Sequence, residues 1–208
     1  VETVRRGLEP FMAGARIVSA VARRPDLRFP LPQDFAQRLS GATVEGLHRR
    51  GKYLLLPLST RETLILHLGM TGRFTVRSET AARRPGGFHF AQPTDPAHDH
   101  VSIDVAGPAG AARIDYNDPR RFGFMDLAPS DAIDASKHFK GMGPEPLSEA
   151  FTAPVLHAAL KGRAAPLKAA LLDQSVVAGL GNIYVCEALW RAGLSPRRAA
   201  GRVTGPSA

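Results

Sequence analysis

The periodicity of this 208-residue chain changes once, and that change restricts the fold more than any other feature. Ahead of Gly141-Met142-Gly143-Pro144-Glu145-Pro146-Leu147, apolar residues alternate in short β-branched runs; beyond it they recur at helical spacing. A stretch so dense in glycine and proline sustains neither element and marks a boundary. The pattern predicts an α+β chain in two packed domains, strands in residues 1–140 and helices in 147–208. A hydrophobic content of 44% with 22% charged residues suits one large core or two modest ones and excludes disordered and fibrous classes.

The first part opens within a helix, since Val1, Val4, Leu8 and Phe11 share a face while Glu2, Arg5 and Arg6 point outward. It starts with neither a methionine nor a cap, and a preceding piece is expected. Strands are predicted over 16–22 and 43–48, with Pro25 to Pro32 between them. Arg49-Arg50-Gly51-Lys52 then runs into the apolar Tyr53-Leu54-Leu55-Leu56, which a turn at 59–62 folds back onto 63–68 as a hairpin. Lys52 sits at the start of this strand, either as an ammonium held in place or as a snorkelling surface charge.

Gly69-Met70-Thr71-Gly72 forms a glycine-flanked tip whose Met70 is either a wedge or core filler. Residues 78–96 lack periodicity and read as a long mobile loop. In the strand predicted over 98–105, alternation places His98 and His100 on one face. A zinc site needs three or four ligands, and His89 could supply another only from a loop of unknown position, so a polar contact to phosphate suits them better. Asn117-Asp118-Pro119-Arg120-Arg121-Phe122-Gly123 presents two arginines and an aromatic on a turn, a combination that pairs with phosphate or a base edge and inserts a ring. The plainer reading is Phe122 in the core beside two solvated arginines.

In the second part, helical patterns cover 151–161 and 166–173. A third follows the turn Val177-Ala178-Gly179-Leu180-Gly181-Asn182. Ile183, Cys186, Glu187 and Trp190 define a mostly apolar face for burial, and Gly193 stops the helix. Glycines at a helix mouth admit an anion to backbone N–H groups, and Asn182 is placed to cap. An ordinary helix-turn-helix corner has the same spacing. A dinucleotide fingerprint is excluded, because Tyr184 stands where its third glycine belongs and a helix precedes the turn. Arg163 and Lys168 add positive charge nearby, and residues 201–208 look like an unfinished connection.

An excess of 27 Lys+Arg over 19 Asp+Glu favours a polyanionic partner. The single cysteine, Cys186, excludes an internal disulfide and a multi-thiolate zinc site within these residues. No apolar run approaches the roughly 20 residues that span a bilayer.

Seven blocks carry a more specific signal: 1–8, Arg50-Gly51-Lys52-Tyr53-Leu54, His67-Leu68-Gly69-Met70-Thr71-Gly72, His98-Asp99-His100, Asp118-Pro119-Arg120-Arg121-Phe122-Gly123, Gly143-Pro144-Glu145-Pro146-Leu147 and Ala178-Gly179-Leu180-Gly181-Asn182-Ile183-Tyr184. In this order the chain resembles bacterial formamidopyrimidine-DNA glycosylase along nearly all its length. The resemblance implies an N-terminal β-sandwich with flanking helices, a helix-two-turns-helix domain and then a zinc finger. It implies removal of oxidised purines, 8-oxoguanine and formamidopyrimidines, from double-stranded DNA, followed by abasic-site lyase chemistry. Met70, Arg120 and Phe122 match the family's inserted side chains, and Lys52 matches its proton donor for β-elimination. His98, Arg120, Arg163, Lys168 and Asn182 match DNA contacts.

The family's nucleophilic proline and adjacent glutamate belong to a Pro-Glu-Leu-Pro-Glu start ahead of the Val-Glu-Thr block, and neither is in this sequence. The four-cysteine finger, with its one zinc ion, is also absent, so no metal or cofactor is expected in this chain. It reads as part of an active enzyme, a monomer of the bacterial cytoplasm with no membrane partner. Two other readings stay open: a non-catalytic binder of damaged or bent DNA, and an endonuclease VIII-type glycosylase for oxidised pyrimidines.

Overall fold

The structure is a computed structural model, and it describes residues 1–78, 82–83, 85 and 94–203. The chain divides into two compact units, Val1–Ile133 and Asp134–Ala208. Most of the segment expected to be a long mobile loop, 78–96, lies outside the described residues.

In the first unit, helix α1 (Glu2–Met12) turns Val4, Leu8 and Met12 into the core. Strands β1 (Arg16–Ala22), β7 (Asp99–Gly107), β8 (Gly110–Asn117), β5 (Arg73–Ser78) and β6 (Ala82–Arg83) form one antiparallel sheet in that order. A second sheet has the order β2 (His48–Arg50), β3 (Tyr53–Pro57), β4 (Glu62–His67), β9 (Phe124–Pro129). Alternation puts Phe74, Val76, Val101, Ile103, Val105 and Ile114 of the first sheet and Leu54, Leu56, Leu64, Leu66 and Met125 of the second into one buried cluster, which makes the unit a β-sandwich with α1 on the same core. On the other face of the first sheet, the nearly buried Asp115 accepts hydrogen bonds from Ser102 (2.6 Å), Arg77 (2.9 Å) and Arg113 (3.2 Å). Burial alone would raise its pKa; these donors outweigh burial and hold its carboxyl below the usual aspartate range.

Three features of this unit differ from the pattern in the sequence. Residues 43–48 are not a strand: Thr43 and Val44 make isolated bridges to Arg16 and Leu58, and pairing proper begins at His48. The proline-rich segment closes on itself at Asp26 and Pro30 and leads into a short helix, α2 (Phe35–Leu39), that buries Phe35 and Leu39. β9 follows directly from the Arg120–Gly123 loop and completes the second sheet, so that this loop hangs between a strand of each sheet.

The second unit holds α3 (Ala153–Leu160), α4 (Leu167–Leu172) and α5 (Asn182–Arg191) around Leu160, Leu167, Val176, Val177, Val185 and Leu189. The Gly141–Leu147 stretch is not an idle linker. Gly143 N–H donates to Gln174 O (2.8 Å), and Ala178 N–H donates to Pro144 O (2.9 Å). A Cβ on Gly143 would stand 2.7 Å from Ser175 O, which explains a glycine there. This bonding draws the stretch into the helical unit and sets the division at 133/134.

α5 buries a different face from the expected one. Val185 and Leu189 are buried, whereas Ile183 is 72% and Trp190 86% exposed. The helix carries two apolar stripes, and the rotation set by the preceding turn selects between them. Residues 197–203 are not patternless in space: Pro166 bridges Ala199, Leu167 N–H donates to Arg198 O (2.7 Å), and Ala200 is fully buried. Among the described residues no helix is long and apolar enough to cross a membrane.

Candidate nucleic-acid interface

The sandwich presents two loops at one edge, and glycine geometry brings them together. The Gly69–Gly72 tip connects β4 to β5, and residues 118–123 connect β8 to β9. A Cβ on Gly69, which has a φ of +60°, would lie 2.5 Å from the Gly123 nitrogen, so only glycine permits this approach. Gly72 N–H closes the tip on Leu68 O at 2.8 Å. Met70, at the tip, is 74% exposed, which rules out the core-filler reading. Phe122 is 42% exposed, and the Arg120 guanidinium carbon lies 4.3 Å from its ring centroid. The guanidinium thus lies as a cation over the ring, and the two side chains hold each other.

Beside this edge lies a concave surface lined by Arg23, Arg24, His98, His100 and Arg121. Its charge is partly spent internally: Arg23 donates to Asp99 O and Ser102 Oγ, and Asp26 lies 3.4 Å from Arg24 and 3.6 Å from Arg121. His98 is not in a strand as expected. It ends a 3-10 turn (Pro96–His98), and β7 bulges between Asp99 and Val101, so the two imidazoles stand 6.4 Å apart in different roles. His100 is buried on Asp118 O at 2.9 Å, whereas His98 keeps a partly exposed ring. Among the described residues, no three His, Cys, Asp or Glu side chains are grouped as a metal site would require.

Lys52 occupies the tight turn between β2 and β3, where Gly51 takes a φ of +56° and Arg49 donates to Gly51 O (2.9 Å). Its partial burial strips water from the ammonium and lowers its pKa below the ordinary lysine value.

In the helical unit Asn182 is the first residue of α5, not its cap; Gly181 precedes the helix and no side chain caps it. The Asn182 side chain and the first-turn N–H groups of Asn182 to Tyr184 therefore remain at an exposed helix mouth, an arrangement suited to an anion. The turn ahead of it is built by Gln174, unremarked in the sequence, whose amide accepts from Gly179 N–H (2.8 Å) and donates to Leu172 O and Leu180 O. Arg163 is braced by Ala159 O and Asp173, each at 2.9 Å, and Asp173 also receives the N–H and hydroxyl of Ser175. Those bonds, from Ser175 first and Arg163 next, keep the Asp173 carboxyl below its usual range. Lys168, the second residue of α4, is half-buried at its base.

Comparison with known proteins accounts for both units. Residues 1–125 match the formamidopyrimidine-DNA glycosylase N-terminal domain, and residues 142–208 match the H2TH domain of the same proteins. The formamidopyrimidine-DNA glycosylase of Brucella canis is 56% identical over 206 residues, 99% of this chain and 70% of its own length. That of Rhodopseudomonas palustris is 57% identical over 200 residues, 96% of this chain and 68% of its own. In three dimensions, Lactococcus lactis Fpg, solved in complex with DNA containing an abasic site, superposes with a TM-score of 0.81 at 32% identity, covering 98% of this chain and 69% of that one. The fold is thus that of a DNA glycosylase of base-excision repair. The chain belongs to the formamidopyrimidine-DNA glycosylase family.

Proposed function

We propose that the whole protein excises oxidised purines, 8-oxoguanine and formamidopyrimidines, from duplex DNA and then cleaves the abasic strand by β,δ-elimination. A glycosidic bond inside the stack is out of reach, so the nucleotide must be turned out of the helix and the vacated space filled. Met70 and Phe122 fill it, and Arg120 meets the orphaned base across the gap. His98, Arg163, Lys168 and Asn182 grip phosphates around the lesion, and Lys52 delivers a proton during β-elimination. The amine that attacks the sugar C1′ and forms the Schiff base is that of the terminal proline in the family's Pro-Glu-Leu-Pro-Glu start. A four-cysteine zinc finger beyond these residues adds a further grip; Cys186, exposed on α5, does not supply such a site here. The bacterial cytoplasm is the proposed setting.

The observation that carries this reading is the exposed trio Met70, Arg120 and Phe122 on two loops that meet at Gly69 and Gly123, which sets a long apolar side chain, a cation and a ring on adjacent loops as a wedge requires. Borohydride trapping on an 8-oxoguanine duplex, with protein carrying the Pro-Glu-Leu-Pro-Glu start, tests the chemistry: a covalent adduct is expected, and its absence refutes the lyase.

Three variants separate grip from discrimination. Asn182→Ala and Lys168→Ala should each weaken binding to damaged and undamaged duplex alike, because phosphate contacts carry little sequence information; only Lys168→Ala should also reduce the slope of log K against log salt by about one, since an amide neutralises no phosphate. Weakening confined to one opposite base would contradict this. Arg120→Ala should instead flatten excision across the four opposite bases, with roughly 1–3 kcal/mol of discrimination lost, as for a base-edge contact. Unchanged opposite-base preference would refute its place in the gap.

A further inference from the structure

We infer that Asp118 is a positioning residue that couples the Met70 tip to the Arg120–Phe122 loop, so that the filler side chains meet the duplex as one preset unit; this rests on the filling role proposed above. Asp118 is fully buried, and its carboxylate is shared between the two loops. Oδ1 accepts from the Thr71 hydroxyl on the tip. Oδ2 accepts from Gly123 N–H at the end of the other loop (2.8 Å) and from the Tyr116 hydroxyl (3.3 Å). Burial, and then the Asp118 charge, push the Tyr116 phenol far above its ordinary pKa, so it stays a donor at any working pH.

The main chain of the same residue reaches a third segment. Asp118 N–H donates to His98 O (3.1 Å), its carbonyl receives His100 Nε2 (2.9 Å), and it also accepts from Arg121 N–H (3.1 Å) within the loop. A tip of four residues fixed only at its ends would sample many conformations, and ordering it during DNA opening would slow that step. The Thr71 bond performs this ordering in advance. Among the described residues it is the side-chain hydrogen bond that joins the tip to the Asp118–Gly123 loop, and a single substitution cuts it.

The test uses the full chain and a duplex bearing 8-oxoguanine, with 2-aminopurine in the opposite strand to report unstacking by fluorescence. Thr71→Val, nearly isosteric, should slow the opening signal roughly 10-fold, as expected for loss of a hydrogen bond to a charged group. Affinity for undamaged duplex should stay unchanged, while the melting temperature should fall by only a few degrees, as for one donor withdrawn from a carboxylate that keeps its two others. Met70→Ala should slow opening as well, and in that background Thr71→Val should add less than about two-fold, since the bond acts through the side chain already removed. Asp118→Asn should retain most of the rate, because its amide oxygen keeps Gly123 and Tyr116 while its NH2 donates to the Thr71 hydroxyl. Met70→Ala with no effect would refute the filling role itself. A slow Met70→Ala beside a normal Thr71→Val would overturn only the coupling, as would full multiplicativity of the two effects.

Discussion

Lys52→Met should lower the rate of abasic-strand cleavage by about 100- to 10 000-fold, the range for a lost general acid, while leaving the fold as stable as before or slightly more so. The two halves of this expectation have one cause. The turn that holds Lys52 at the head of β3 partly buries its ammonium and lowers its pKa, which brings it closer to the pH at which proton donation is efficient. The same shift is a burden on folding. Where the folded pKa lies below the unfolded one, the unfolded chain binds more protons, so stability rises with pH and is reduced at neutral pH. An uncharged, similarly shaped methionine removes that burden. Cleavage of a duplex containing an abasic site, measured in protein with the Pro-Glu-Leu-Pro-Glu start, beside thermal denaturation of the variant, gives both halves. A donor must be protonated, so the alkaline limb of the wild-type rate should fall below the ordinary lysine pKa and vanish in Lys52→Met. A rate within 10-fold of wild type would remove Lys52 from the chemistry.

Gly123→Ala should be among the most damaging single changes in the sandwich, at roughly 3 kcal/mol or more. The new Cβ would lie 1.9 Å from the Tyr116 hydroxyl and 2.6 Å from His67 O. Neither neighbour can yield cheaply. Tyr116 is buried, with its ring 5.2 Å from Phe74, and His67 is paired with Phe124 in the second sheet. Moving the tyrosine also withdraws a donor from Asp118, so the damage spreads to both loops that Asp118 joins. For a unit of this size the melting temperature should fall by roughly 10 °C. Gly110→Ala is the contrast: its φ of +90° strains any side chain, but nothing lies within 4 Å of the new atom. That variant should cost only about 1–2 kcal/mol, the left-handed penalty alone. Equal losses at the two positions would mean that the packing around Gly123 relaxes freely.

The difference between these glycines shows how far the primary structure could be read. Both are glycines in turns, and nothing adjacent in the chain distinguishes them; the hydroxyl that excludes a methyl group at Gly123 comes from β8. Lys52, Met70, Arg120 and Phe122 could be placed at a strand start and on turns because those are local features with characteristic residues, but their roles came only from the family resemblance. Asp118 was not singled out, although it ties three segments together, since an aspartate before proline is ordinary turn chemistry until its donors are known. Gln174 was hidden in the same way: its partners are the carbonyls and the N–H of a turn that does not exist in an extended chain.

By itself, the sequence determined that a strand-rich part precedes an all-helical one, where the hairpin turns, and which basic and aromatic side chains lie on loops. These depend on period, on glycine and proline, and on charge, all of which act over a few residues. The tertiary structure alone decided which stripe of α5 is buried, that residues 43–48 make only bridges, that β9 closes the second sheet, and that the Met70 and Phe122 loops touch. Each of these depends on a rotation or a pairing between residues far apart in the chain. Its energy is the burial of area shared by both partners, which neither segment carries alone.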